Sequence, residues 1–173
     1  MEKVIEFLRK VGRLKTTKRK GWVLKGIEDA ESVAEHSFRT AILALVLSEK
    51  EGVDADKCVK MALVHDLAEA ITGDITPFDK LSKEEKSKIE TKAMAELLKG
   101  THTEIIGIWE EYDECKTPEA RFVHDMDKIE MLLQAFEYEK LGKYELREFW
   151  EHVQKNIRGR TAKEIFRGLE KKK

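Results

Sequence analysis

Apolar residues recur every three to four positions through most of this chain, and no stretch of strand length alternates with a period of two. Ser32-Val33-Ala34-Glu35 is a capping box, with a hydroxyl at the N-cap and a carboxylate three residues on. It opens a stripe at Phe38, Ile42, Leu45 and Val46, which predicts an amphipathic helix carrying His36 in its first turn. A second helix is expected from Asp54-Ala55-Asp56 through Val59, Leu63 and the pair His65-Asp66 to Ala70. The segment Thr72-Gly73-Asp74-Ile75-Thr76-Pro77 ends it, since Gly73 permits unusual φ and Pro77 disfavours helix at the residue before it. Ser82-Lys83-Glu84-Glu85 and Thr161-Ala162-Lys163-Glu164 repeat the capping box, and Thr117-Pro118-Glu119 offers an N-cap Thr with Pro at the first helical position. These predict helices over about 82–99, 118–141 and 161–170, with boundaries good to about 2–4 residues. With only two prolines and ten glycines the chain reads as helical almost throughout. The expected fold is all-α, one helical bundle with no repeat or low-complexity linker.

Composition narrows the function classes. A chain of 173 residues suits one domain that can bury a core without disulfides or a structural metal. Charged residues make up 39%, yet 33 basic and 34 acidic groups leave a formal net charge of -1, so no global bias points to nucleic acid or an acidic membrane. The start Met1-Glu2-Lys3-Val4 lacks a secretory pattern, and no apolar stretch approaches the roughly 18 residues of a spanning helix. The expectation is a soluble, cytoplasmic protein. Cys58 and Cys115 are far apart and outside any CxxC spacing, which favours buried or half-buried thiols. The Lys80 to Lys92 charge run is expected on a solvated helix face.

Chemistry concentrates around His65-Asp66, at the end of the apolar run Met61-Ala62-Leu63-Val64. With His36 upstream and Asp127 downstream, two imidazoles and two carboxylates from three helical segments make a donor set for one divalent ion. Adjacent helical residues project about 100° apart, so His65 and Asp66 reach one ion only at the helix edge, and the remaining donors must come from elsewhere. Mixed nitrogen and oxygen ligation suits Mn, Co, Fe, Ni, Zn or Mg. Glu69, four residues after His65, falls on the same face and is the candidate general acid or base. These residues predict a metal-dependent hydrolase.

The ordered set of His36, His65-Asp66 and Asp127 resembles the H…HD…D pattern of the HD-domain metal-dependent phosphohydrolases. Glu35-His36-Ser37, the stretch from Val64 through Glu69 and Thr72-Gly73-Asp74 to Ile75, and Met126-Asp127-Lys128 resemble the single-metal branch, the 5′-deoxynucleotidase family. Gly21-Trp22 and Glu130-Met131-Leu132-Leu133-Gln134-Ala135 are similar to its eukaryotic and archaeal members. The likeness covers about residues 5 to 145 and leaves the C-terminal helices, 145–173, outside it. It implies an HD-type bundle with a metal site between core helices, His36, His65, Asp66 and Asp127 as ligands to one divalent ion, and a catalytic Glu69. It further implies hydrolysis of (deoxy)nucleoside 5′-monophosphates, with Thr72 and Asp74 at the substrate, Asp74 sensing the sugar and Trp22 in the nucleotide site, and a homodimer. Bacterial members carry Arg immediately before that aromatic, where this chain has Gly21. Arg19 is therefore assigned to the phosphate, because a planar guanidinium can engage two of its oxygens.

Other readings stay open. The substrate could instead be a cyclic or signalling nucleotide. Alternatively, Arg13, Lys15, Lys18, Arg19 and Lys20 with Trp22 could form a noncatalytic nucleotide- or nucleic-acid-binding patch, although that patch is too short to establish nucleic-acid binding. His102 and His124 lie in the interval where two-metal HD enzymes place two more histidines. Asp125 competes with Asp127 as ligand but reads better as an exposed or capping carboxylate. Arg39 could reach the phosphate or pair with Glu35. His152 reads as an ordinary packed or surface histidine, and Trp109, Trp150, Phe136 and Tyr138 as core or subunit-contact aromatics.

Overall fold

The computed structural model describes residues 1–99 and 103–173, so His102 lies outside the described residues. The helices are α1 (Glu2–Val11), α2 (Lys20–Leu24), α3 (Val33–Glu51), α4 (Ala55–Val64), α5 (Glu69–Thr72), α6 (Lys83–Leu97), α7 (Thr103–Glu114), α8 (Pro118–Lys140), α9 (Arg147–Asn156) and α10 (Arg160–Glu170). No strand occurs among the described residues; an isolated antiparallel bridge joins Lys18 to Ser32. None of the described helices is long and apolar enough to cross a membrane.

Local chemistry sets most boundaries. The Ser32–Glu35 box forms as expected, with Ser32 Oγ accepting from the Glu35 amide at 3.2 Å and Glu35 accepting from the Ser32 amide at 2.6 Å. Asp54 accepts from the Lys57 amide to open α4, Ser82 and Glu85 box α6, and Thr117 with Pro118 opens α8. Gly52 closes α3 at φ 82°, a left-handed conformation that costs glycine little. The Thr161 box does not form. Asp125 of α8 instead accepts from the Arg158 and Gly159 amides, and Glu51 accepts from the Thr161 amide, so α10 is capped by two other helices.

The expected helix over 54–70 breaks at His65. From there the amides bond three residues back, Leu67 to Val64 and Glu69 to Asp66, in a tightened turn before α5. His65 Nδ1 takes the Ala62 carbonyl at 2.7 Å, in competition with the regular ladder.

The bundle is organised around α3, α4 and α8, which pack on one another, with α10 and α9 closing over α8. Met61, Val123, Met126, Ile129, Leu132 and Val153 are fully buried in its centre. A second cluster, including Leu67, Ala68, Met94 and Trp109, seats α5 against α6 and α7, and a third surrounds Trp22. The apolar stripe of α3 does not join any of them. Phe38, Ile42, Leu45 and Val46 are 43–67% exposed, and α3 turns inward the small and polar residues His36, Ser37, Thr40, Ala41, Ala44 and Ser48. Small inward residues let α4 and α8 approach α3 closely. Trp109, Trp150 and Tyr138 are buried, Cys58 is buried and Cys115 half-buried, both as free thiols.

Candidate metal centre

Three segments deliver four donors to one point. His36 comes from the first turn of α3, His65 and Asp66 from the tight turn between α4 and α5, and Asp127 from α8. His65 Nε2 lies 3.3 Å from His36 Nε2 and 3.2 Å from Asp66 Oδ2; His36 Nε2 lies 3.2 Å from Asp127 Oδ1 and 3.7 Å from Asp66 Oδ2. Donors about 2.1 Å from one ion stand about 3.0–3.4 Å apart in octahedral or tetrahedral geometry, so these separations fit a divalent cation.

The far nitrogens of both rings reinforce that fit. His65 Nδ1 is committed to the Ala62 carbonyl, and His36 Nδ1 to the carboxylate of Glu130, so both Nε2 atoms face the common point. Two imidazole nitrogens and two carboxylates aimed at each other require positive charge between them. Without an ion that demand falls on protons: burial pushes the His36 pKa down, but Asp127 and Glu130 outweigh it and lift it to about 10. Burial alone would raise Asp127, and its contact with His36 holds it well below the usual carboxylate range.

Glu130 was absent from the sequence-based ligand set. It is wholly buried, and Arg39 Nε donates to it at 2.8 Å while the same guanidinium reaches Gln134 at 2.7 Å and Glu137. Arg39 therefore neither faces the phosphate position nor pairs with Glu35, which is occupied at Ser32. The available signal was spacing, since Glu130 is three residues after Asp127 on the same helix face.

Glu69, at the start of α5, is 3% exposed, and its Oε2 has no hydrogen-bond partner among the described residues. Burial first, then the charges of Asp66 and Asp74, raise its pKa well above the ordinary value. Arg19 is fixed by its amide donating to the Glu31 carbonyl, and its Nη1 lies 3.5 Å from Asp66 Oδ2. Asp74 accepts from the Lys20 amide at 2.6 Å. Lys20 also pairs with Asp79, which closes the turn after Thr76.

A cavity of about 780 Å³ opens from this point and is lined by Arg19, His65, Asp66, Glu69, Asp74 and Asp127, with α6, α7 and α9 around them. Thr72 is not on its wall; the Thr72 hydroxyl donates to the Gly73 carbonyl at 2.8 Å. Trp22 is 1% exposed, donates its indole N–H to Glu31 at 2.8 Å and lies under the ring of Phe149. His124 donates to or accepts from no metal-site donor: its Nε2 meets the Tyr112 carbonyl at 2.9 Å and its ring stacks on Tyr112. Asp125 is buried as the cap of α10. The charge run on α6 is only partly a solvated face, because Lys86 and Glu90 line the cavity, and His152 lines it from α9.

An all-α bundle with an inward His/His-Asp/Asp cluster beside a buried carboxyl and a guanidinium defines a metal-dependent hydrolase of the HD type. The HD-domain family model matches residues 11–170, and the chain belongs to that family. It is 43% identical to 5′-deoxynucleotidase HDDC2 of Dictyostelium discoideum over 98% of this chain and 95% of that protein. The human protein of the same name is 43% identical over 80% of this chain and 69% of its own length. The crystal structure of a Pyrococcus horikoshii protein superposes with a TM-score of 0.83 at 39% identity, covering 98% and 99% of the two chains.

Proposed function

We propose that this protein hydrolyses (deoxy)nucleoside 5′-monophosphates to nucleoside and phosphate, using one divalent ion held by His36, His65, Asp66 and Asp127. The observation that carries this reading is the convergence of those four donors beside the guanidinium of Arg19 and the carboxyl of Glu69, whose Oε2 has no hydrogen-bond partner among the described residues. The names of the 5′-deoxynucleotidase relatives support the substrate class.

When bound, the ion would withdraw charge from a phosphate oxygen and lower the pKa of an adjacent water. Arg19 neutralises the remaining phosphate charge and fixes the orientation of the group. Water attacks phosphorus, the bond to the 5′ oxygen breaks, and Glu69 delivers its proton to that leaving oxygen. Burial and the neighbouring carboxylates raise its pKa well above the ordinary carboxyl value, and this shift toward the protonated form supports the role of acid over that of base. Asp74, held by the Lys20 amide, accepts from the sugar 3′-hydroxyl and crowds a 2′-hydroxyl. Thr72 supports this loop through its backbone contact, and Trp22 lines the nucleotide site beside Phe149.

The test is phosphate release from ribo- and deoxynucleoside 5′-monophosphates after metal stripping and readdition of Co, Mn, Zn, Ni, Fe or Mg, with Asp66→Ala as control. Metal-dependent release that favours deoxynucleotides and disappears in the variant is expected. Release only from cyclic or pyrophosphate substrates would overturn the monophosphate assignment.

The protein acts as a homodimer through the outer face of α3. Phe38, Ile42, Leu45 and Val46 leave on the order of 400 Å² of apolar side chain exposed in one stripe, given side chains of about 150–250 Å². That approaches the apolar share of a standard half-interface of about 800 Å². The free thiols of Cys58 and Cys115 support the cytoplasm as its compartment.

A further inference from the structure

The cavity has a wall that the hydrolytic chemistry does not use. Phe149, His152 and Asn156 follow one another at helical spacing along α9, and all three line it. Phe149 is only half-buried although it is aromatic and apolar; its ring lies 4.3 Å from that of Trp22, tilted by 32°. Trp22 thus supports one face of the Phe149 ring from within the protein.

The position of this ring relative to Asp74 is fixed by α2. The Lys20 amide holds Asp74 at 2.6 Å, and at the next residue a Cβ built on Gly21 would meet Phe149 Cε1 at 3.6 Å. Asp74, the first turn of α2 and Phe149 therefore form one continuous wall, with a single residue step of about 3.8 Å between the two attachment points. A sugar held at Asp74 would have this wall beside it, within reach of its base. A long side chain at position 21 would compete for the space that Phe149 occupies, whereas glycine leaves the ring to the cavity.

Farther along α9, His152 and Asn156 add polarity. Asn156 Nδ2 donates to the His152 carbonyl at 2.8 Å, which leaves its Oδ1 as an acceptor, and the imidazole can donate or accept. An aromatic platform followed by two amphoteric side chains matches the needs of a heterocycle with a π-face and a hydrogen-bonding edge.

We propose that α9 is the base-reading element of the site: Phe149 stacks on the nucleobase, and His152 and Asn156 set which base is preferred. This rests on the nucleotidase reading. It assigns specificity to a helix outside the HD motif residues.

Steady-state kinetics on the metal-loaded protein would compare the deoxynucleoside 5′-monophosphates with 2-deoxyribose 5-phosphate, which lacks a base. Phe149→Ala is expected to raise KM for every nucleotide between about fivefold and a hundredfold, the range that stacking confers, with a loss confined to substrates carrying a base. Phe149→Tyr should retain the wild-type KM and Phe149→Leu should not. His152→Ala/Asn156→Ala should reorder the bases by KM. Equal losses on nucleotide and sugar phosphate, or full retention in Phe149→Leu, would overturn the proposal and reduce Phe149 to a prop for Trp22. If the wild type releases no phosphate from any monophosphate, the nucleotidase reading fails by itself. Calorimetric binding of deoxyadenosine then decides the role of α9: weaker binding to Phe149→Ala supports it, and equal binding overturns it.

Discussion

Glu130 grips His36 from the side opposite the other donors, and Arg39 grips Glu130 in turn. Glu130→Gln keeps the volume but removes the charge that makes the imidazole a better ligand. Metal titration should show an affinity loss of about 10–100-fold. Glu69→Gln should retain metal affinity and lower kcat by about 10²–10⁴-fold. The pH profile carries the same information. A proton donor with a raised pKa is competent below that pKa, so activity falls as pH rises through it, and Glu69→Gln should lose this alkaline limb. Sequence reasoning named His36, His65, Asp66, Asp127 and Glu69 because a metal needs specific donor types in a recognisable order, and the structure brings these residues together. It missed Glu130 and misplaced Arg39, since a long buried ion pair between α3 and α8 is set by how those helices pack. Trp22 was legible as an aromatic near the site, but its burial beneath Phe149 depends on α9, which no capping motif announced.

At the scale of elements, side-chain caps were the most legible feature. The boxes at Ser32 and Ser82 and the Thr117-Pro118 start all form. The exception is α10, where Asp125 and Glu51 from other helices do the capping. Asp125→Ala should therefore cost about 1–3 kcal/mol, read as a lowered midpoint of denaturant unfolding, because it leaves two amides at a half-buried helix start without their partner. The break at His65 was hidden because the 3.6-residue pattern continues through it. The contact of His65 with the Ala62 carbonyl and the three-residue amide bonds that follow show that the ladder yields there. The outward stripe of α3 was legible as a stripe but not as an outward one: periodicity reports that a helix has two faces, and the partners decide which is covered. Here α4 and α8 cover the small-residue face. If α3 carries the proposed dimer contact, Ile42→Glu on its outer face should give a monomer where the wild type sediments as a dimer in analytical ultracentrifugation, with the helical circular dichroism unchanged, and a wild type that sediments as a monomer would overturn that contact.

Across the whole molecule, stability has a buried acidic component. Glu31 is pressed first by burial and then by Glu130, and its pKa is lifted to about 7. The folded chain retains this proton at pH values where the unfolded chain has released it. The contribution of Glu31 is therefore full below about pH 4.5 and is lost as pH rises to about 7. Glu31→Gln keeps an acceptor for Trp22 and cannot ionise. Its unfolding free energy relative to wild type should improve by roughly 3 kcal/mol between pH 4.5 and 8. Chelation should act more broadly, because the donors belong to three packed segments; metal at a hundred times its Kd should restore about 2.7 kcal/mol.

The four donors are spread from residue 36 to residue 127, and none of the three segments can hold an ion alone. An emerging chain has no site until α8 has left the ribosome and docked on α3 and α4. The ion is thus recruited by a finished protein, from whatever pool surrounds it, and its identity is chosen by abundance and fit. The metal content of a preparation should follow the growth medium, so that one polypeptide yields several differently loaded enzymes.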